Sequence, residues 1–241
     1  MIRNLKVLGM ALVAVFAMGA LAASAASAQN GKITSLTTGE DFTLTGTPEG
    51  AKGSGTNIFK FKEGEVNGIE CHETHYHGEA TGGGPLKNGA ETATVIPTYK
   101  GCTFGGLPLT VTMNGCDFDL HLTKTTGVAD TYEVTSDLTC PPEKVVEVHI
   151  YLSKQAHEKD EAFCTLTFGA QNGLKGATLK DETNGHLTLG GTIKGISSTK
   201  HGACAAGGTE NSTTGTLGLG VTLEGKNEKT GAKTNLTISH E

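Results

Sequence analysis

The chain has 241 residues, 25 of them acidic against 19 Lys and Arg, giving a formal net charge of −6. That balance argues against nucleic acid or an anionic membrane surface as a partner. Glycine is abundant at 35 residues, tryptophan is absent, and cysteine is present as an even set of 6.

Residues 1–28 read as an export signal. Arg3 and Lys6 give a positive end, residues 7–22 an apolar run, and Ala26-Ser27-Ala28 a small-residue cleavage site. The run is nearly long enough for a single-pass anchor, but its Ala-rich end leading straight into the cleavage site favours removal. No cysteine stands at the cleavage point to carry a lipid. The mature chain would start at Gln29, would be more acidic still without Arg3 and Lys6, and holds no later segment apolar enough to span a membrane. Residues 29–241 are expected as a single secreted β domain, or as two packed halves at roughly 38–140 and 141–241.

Residues 29–38 are polar and read as a loose lead-in. Strands are predicted over 41–45, with Phe42 and Leu44, and over 57–62, with Phe59 and Phe61, joined by the Gly/Ser-rich stretch 49–55. A longer strand over 67–80, the Gly-rich loop 81–90 and a returning strand over 92–99 read as one long hairpin. After a short strand at 109–113, Asn114-Gly115 signals a turn, because both residues tolerate positive φ. Cys116, Phe118, Leu120 and Leu122 then alternate with Asp117, Asp119, His121 and Thr123, the period-two pattern of a half-buried strand.

The returning strand 131–139 ends at Cys140, and Pro141-Pro142 breaks it. Val146, Val148, Ile150 and Leu152 mark the next strand, opposite Glu147, His149 and Tyr151. Residues 153–161 have the mature chain's one helix-forming composition, enough for a turn or two. Cys164, Leu166 and Phe168 alternate in the following strand, and further strands are predicted at 177–179, 186–196, 216–223 and 233–240. Residues 201–215 read as a Gly/Ser/Thr/Ala loop with little to bury. About a dozen short strands, Gly-rich turns and almost no helix predict an all-β chain, an antiparallel β-sandwich or barrel-like fold.

Six cysteines in an exported chain, Cys71, Cys102, Cys116, Cys140, Cys164 and Cys204, read as three structural disulfides. No pair has the close C-x-x-C spacing of a structural zinc site. Counting outward from the loop 81–90 brings Cys71 and Cys102 to nearly the same level of the hairpin. Cys116 and Cys140 fall at the same end of the next hairpin. A Cys102–Cys116 bridge fits less well, because the strand 109–113 would separate them. Of the fifteen pairings that six cysteines allow, these counts favour Cys71–Cys102 and Cys116–Cys140, with Cys164–Cys204 by elimination. Each bridge would close a loop of roughly 25 to 40 residues and contribute roughly 3.5–4 kcal/mol in the chain-entropy model.

The polar cluster with most chemistry is Cys71-His72-Glu73-Thr74-His75-Tyr76-His77. On a strand Glu73, His75 and His77 share a face, and two imidazoles with a carboxylate can hold one divalent metal ion, Zn or Cu, if His121 or His149 supplies another ligand. The plainer reading is a solvent-facing polar strand. Cys71 has the same parity as His75, so a buried bridge would turn the histidines inward unless the strand twists past the core edge. H-E-T-H is one residue short of the H-E-x-x-H helix motif. Neither G-x-S-x-G nor Walker A nor G-x-G-x-x-G occurs, and Gly218-Leu219-Gly220 lacks the third glycine. Asp117, Asp119, Glu158, Asp160 and Glu161 are candidates for a glycosidase pair by residue type alone. Tyr76, Tyr99, Tyr132 and Tyr151 are the aromatic inventory for a sugar platform. Asn211 and Asn235 open N-x-[ST] sequons, a match common by chance in a Thr-rich chain, and the short Ala-rich signal looks bacterial.

Short runs around the cysteines carry a family resemblance: Pro97-Thr98-Tyr99-Lys100-Gly101-Cys102, Asn114-Gly115-Cys116, Leu138-Thr139-Cys140-Pro141, and the run from Cys164 to Leu174. With the signal and Cys204, they make the chain resemble a group of uncharacterised secreted proteins of soil actinobacteria. The resemblance implies export and a disulfide-bonded β fold, and it transfers no functional residues. The expectation is a secreted, non-enzymatic binding or envelope-associated protein with an extracellular ligand and no cofactor. Its alternatives are a metal-binding protein or metal-dependent enzyme at Glu73, His75 and His77, and a surface carbohydrate-binding module.

Overall fold

The computed structural model describes residues 31–36, 40–49, 57–205 and 207–240. The expected export signal, residues 1–28, and most of the loop 49–55 lie outside the described residues. The chain opens with β1 (Gly31–Ser35), β2 (Phe42–Pro48), β3 (Ile58–Lys60), β4 (Ile69–Glu70), β5 (Glu73–Glu79), β6 (Thr92–Lys100) and β7 (Cys102–Phe104). It continues with β8 (Leu107–Thr112), β9 (Asp117–Thr125), β10 (Thr131–Thr139), β11 (Val146–Ile150), the helix α1 (Lys154–Glu158), β12 (Cys164–Phe168) and β13 (Gln171–Asp181). Two long strands follow, β14 (Leu187–Gly202) and β15 (Gly208–Asn227), then the short β16 (Lys233–Thr234) and β17 (Leu236–His240).

The antiparallel pairings close on themselves. One circuit runs β15, β2, β5, β6, β9, β10, β13, β14 and back to β15. A second runs β15, β3, β4, β7, β8, β11, β12, β14 and back to β15. Both take the chain in the same order, so β2/β3, β4/β5, β6/β7, β8/β9, β10/β11 and β12/β13 are the halves of long broken strands, and β14 and β15 span both levels. The fold is therefore an up-and-down barrel of eight long strands, in which each strand pairs with its sequence neighbours and β15 closes the ring. Closure leaves this ring no free edge to pair with another chain. Strands from both sides of residue 140 pair within it: β8 with β11, β10 with β13, and β2 and β3 with β15.

Between the breaks alternate side chains point inward, and most of these are apolar. Leu120 and Leu122 of β9, Val134 and Leu138 of β10, Val148 and Ile150 of β11, and Leu187 and Leu189 of β14 are buried together. The outward positions carry Thr, Lys, Glu and His, so hydrophobic burial and the strand period select the same face. The lead-in is structured instead of loose. β1 pairs with β17 in a separate two-stranded ribbon, with Ile33 opposite Ile238, and both residues are buried. The ribbon lies across the end of the barrel formed by the loops after β5, β9 and β13. Asp181 accepts there from the Thr237 hydroxyl at 2.5 Å and the Ile238 N–H at 2.8 Å.

Residues 201–215 are also strand over most of their length, with a 3-10 turn at Ala203–Ala205 between β14 and β15. Apolar periodicity is missing here and at the end of β14 because inward positions are polar: Ser198 and Ser212 are buried, and the Ser212 hydroxyl donates to the Phe61 carbonyl at 2.8 Å.

Midway along the barrel most strands break step. Cys71 and His72 interrupt β4 and β5, Gly101 has φ +59 between β6 and β7, and Asn114 and Gly115 have φ 53 and 80 between β8 and β9. β14 and β15 shift register between Lys194 and Ile196 and again before Ser198. Such irregularities bend strands and change which parity faces inward. The disulfides Cys71–Cys102 and Cys116–Cys140 sit at this waist, and Cys164–Cys204 ties the start of β12 to the turn after β14. Three disulfides fit an exported protein in an oxidising setting. Among the described residues no helix is long and apolar enough to cross a membrane.

Candidate ligand chamber inside the barrel

The waist holds a chamber of about 90 Å³, several times the roughly 10–15 Å³ that one water needs. All eight long strands contribute to its wall, among them Phe59, Ile69, Tyr99, Val111, Val148 and Leu217. The side chains are overwhelmingly apolar, and the space exists where strands break step and neighbouring inward residues no longer interdigitate.

Asn57, Tyr99 and Gln171 are the polar side chains among the lining residues. The Tyr76 hydroxyl donates to Asn57 Oδ1 at 3.0 Å, and Asn57 Nδ2 donates to the Gly220 carbonyl at 3.0 Å. Gln171 exchanges bonds with Ser197, its Nε2 donating to the carbonyl at 3.2 Å and its Oε1 accepting from the N–H at 2.7 Å. Tyr99 lines the chamber, and burial pushes its phenol well above the ordinary tyrosine value, as it does for Tyr76. Tyr99 is thus a neutral O–H at the wall of an apolar space, with donor and acceptor capacity.

A second chamber, of about 110 Å³, lies toward the end opposite the β1–β17 ribbon. It shares Phe59 and Ile69 with the waist chamber and adds Phe61, Phe104, Ile150, Leu166, Lys200 and the Cys164–Cys204 bridge. Phe59 packs edge-on against Phe168, ring centroids 4.7 Å apart, and stands between the two spaces. Lys200 is the charged group here. Its side chain is only 13% exposed, with Nζ 3.8 Å from the centre of the Phe61 ring. Glu65 and Glu210 lie 3.7 and 3.8 Å from that nitrogen. Glu65 is itself held by the N–H groups of Phe61 and Lys62 at 3.0 and 3.3 Å, and Glu210 pairs with Lys62, whose ammonium holds its carboxyl below the ordinary value.

The histidine face lies elsewhere. Glu73, His75 and His77 are exposed on the outer face of β5, while Thr74, Tyr76 and Gly78 turn inward. The parity conflict with Cys71 is resolved by the break at Cys71 and His72: Ile69 and Cys71 line the waist chamber, the phase slips by one, and the histidines turn out. A twist past the core edge is not needed. His77 Nε2 stands 3.7 Å from Glu79. His121 pairs with Asp137 at 3.2 Å and His149 with Asp160 at 3.6 Å. On β6, His75 faces Thr98 and His121 faces Thr92, a separation of about 20 Å along the strand. Among the described residues no group of three or more His, Cys, Asp and Glu side chains is placed to hold a metal ion.

Of the remaining candidates, Glu158 and Glu161 are exposed. Asp117 and Asp119 share the outer face of β9, and Asp119 accepts from the Thr94 hydroxyl at 2.5 Å. Asp160 accepts from the buried Tyr151 hydroxyl at 2.6 Å, which holds its carboxyl below the ordinary value and anchors the segment containing α1. Tyr132 and Tyr151 are buried, and Tyr76 and Tyr99 point into the barrel. The four tyrosines therefore supply no exposed platform for a sugar ring.

Lys200 and Asn57 were not singled out by the sequence. The available signal was parity: Ile196, Ser198 and Lys200 alternate along one face of β14, which places an ammonium among inward positions. No family model matches the chain, and neither the curated proteins nor the solved structures contain a match.

Proposed function

We propose that this is a secreted, non-enzymatic binding protein that encloses a small, mostly apolar molecule inside its barrel. The reading rests on the waist chamber, an apolar space walled by all eight strands. Small closed barrels either fill their interior with side chains or hold one small ligand, and ligand sites are typically apolar enclosures with a few placed polar groups. The wall chemistry supports the non-enzymatic reading. The lining residues Asn57 and Gln171 are engaged with Tyr76 or with the backbone, which suits orientation of a ligand better than proton transfer. The disulfides suit a container that must stay closed outside the cell.

The test is toluene titration followed by methyl NMR on disulfide-intact protein. Saturable shifts of the Val111, Met113, Val148 and Leu217 methyls are expected, and they should be lost in Val111→Phe, whose ring enters the chamber. If no lining methyl moves at saturating toluene, the interior is not a binding site and the proposal fails.

A further inference from the structure

We infer that the end chamber receives the polar end of the bound molecule, and that this end is a neutral hydrogen-bond acceptor, an ester, ketone or lactone carbonyl, taken by the ammonium of Lys200. The inference rests on the enclosed-ligand reading and specifies its chemistry.

An ammonium carries three N–H donors and no acceptor. Nζ of Lys200 has its charge balanced by Glu65 and Glu210 at 3.7 and 3.8 Å and by the face of Phe61 at 3.8 Å. Both carboxylates are beyond hydrogen-bond reach, and a ring face accepts no conventional hydrogen bond. The group is therefore electrostatically compensated and almost fully withdrawn from solvent, yet it makes no hydrogen bond to a described residue. A ligand oxygen entering the chamber would meet an oriented donor whose burial is already compensated.

The same carboxylates decide the charge of the ligand. A carboxylate ligand would bring a further negative charge toward Glu65 and Glu210, which already balance the ammonium, and both would repel it. A neutral carbonyl accepts the N–H without that repulsion. The rest of the chamber, Phe59, Phe61, Ile69, Phe104 and Ile150, offers only apolar contact. Phe59 and Ile69 belong to both chambers, so an aliphatic tail leads past Phe59 into the waist, with its carbonyl at Lys200.

Calorimetric titration with three probes of similar length separates the possibilities: methyl octanoate, undecane and octanoate. Methyl octanoate is expected to bind roughly tenfold or more tightly than undecane, the scale of a hydrogen bond to a charged group, and more tightly than octanoate. In Lys200→Met, which keeps the volume and removes the donors, ester and alkane should bind about equally. In the parent protein, the Lys200 Cε resonance should shift with methyl octanoate and stay in place with undecane, a readout that does not depend on the variant folding. Equal affinity for ester and alkane in the parent, or a preference that survives in folded Lys200→Met, overturns the role of Lys200. Tightest binding of octanoate overturns the neutral acceptor. Failure of both ester and undecane to bind removes the enclosed-ligand reading itself.

Discussion

Gly176 and Gly191 lie back to back across β13 and β14: a Cβ on Gly191 would stand 2.3 Å from the Gly176 carbonyl oxygen, and one on Gly176 would stand 2.0 Å from that of Thr192. Both have positive φ, +109 and +103, and the pairing skips a residue between Lys175 and Ala177. The barrel wall bends here because two backbones approach more closely than any side chain permits. Gly176→Ala is expected to lose about 2–4 kcal/mol of stability, combining steric conflict with an unfavourable backbone region. Gly190 is one residue away with open space around its Cβ position, and Gly190→Ala should stay within about 0.5 kcal/mol. Urea unfolding of the two variants checks the contrast; equal effects would mean that the close approach is absent.

The Cys71–Cys102 bridge spans 31 residues and joins the points where β4 passes into β5 and β6 into β7. Removing it as Cys71→Ala/Cys102→Ala is expected to cost about 3–4 kcal/mol through the unfolded chain's regained freedom. Because the bridge also pins the slip that turns His75 and His77 outward, the variant should show faster amide exchange across β4 and β7 than across β10 and β13. Uniform exchange rates across all four strands would mean that the bridge stabilises without fixing the waist.

The strands themselves were legible from alternation, most clearly in β9, where Phe118, Leu120 and Leu122 oppose Asp117, Asp119 and His121. Their continuity was not. Most breaks at the waist shift inward parity by one, as at Cys71 and His72 or Asn114 and Gly115, so one long strand reads as two short ones and the barrel reads as about a dozen pieces. The far end of β14 and the start of β15 were illegible for another reason. Ser198, Lys200 and Ser212 occupy inward positions there, and a polar interior erases the apolar period on which strand recognition depends. Lys200, the charged group of the end chamber, lies inside that stretch. β1 was hidden because a short strand held by one partner needs few apolar residues, and Ile33 supplies the main one.

The outer face of β5 offers a sharp contrast with the interior. Glu73, His75 and His77 are exposed, with His77 3.7 Å from Glu79, and exposed side chains and surface pairs contribute little to stability. His75→Ala/His77→Ala is expected to change unfolding free energy by less than about 0.5 kcal/mol. Zn²⁺ in thermal melts should then shift the parent and the double variant alike. A rise of several degrees confined to the parent would show that this face holds metal in the folded state, because only a ligand specific to the native protein stabilises it.

Asp117 gives the pH test. Partial burial, followed by the nearby Asp119 and Glu79 carboxylates, holds its carboxyl above the ordinary value. A raised carboxyl means that the folded protein binds the proton more tightly than the unfolded chain does, so the ionised group costs stability at neutral pH. That cost is relieved as the pH falls through the folded-state value and is gone below the unfolded one. Asp117→Asn, which removes the charge at every pH, is therefore expected to raise the melting temperature at neutral pH. The advantage should shrink steadily under acid and vanish below about pH 3, where both proteins carry an uncharged side chain at this position. Melting curves of the two proteins across that range read the effect directly. An advantage independent of pH would assign it to packing, and no advantage at neutral pH would mean that solvent screens the three carboxylates from one another.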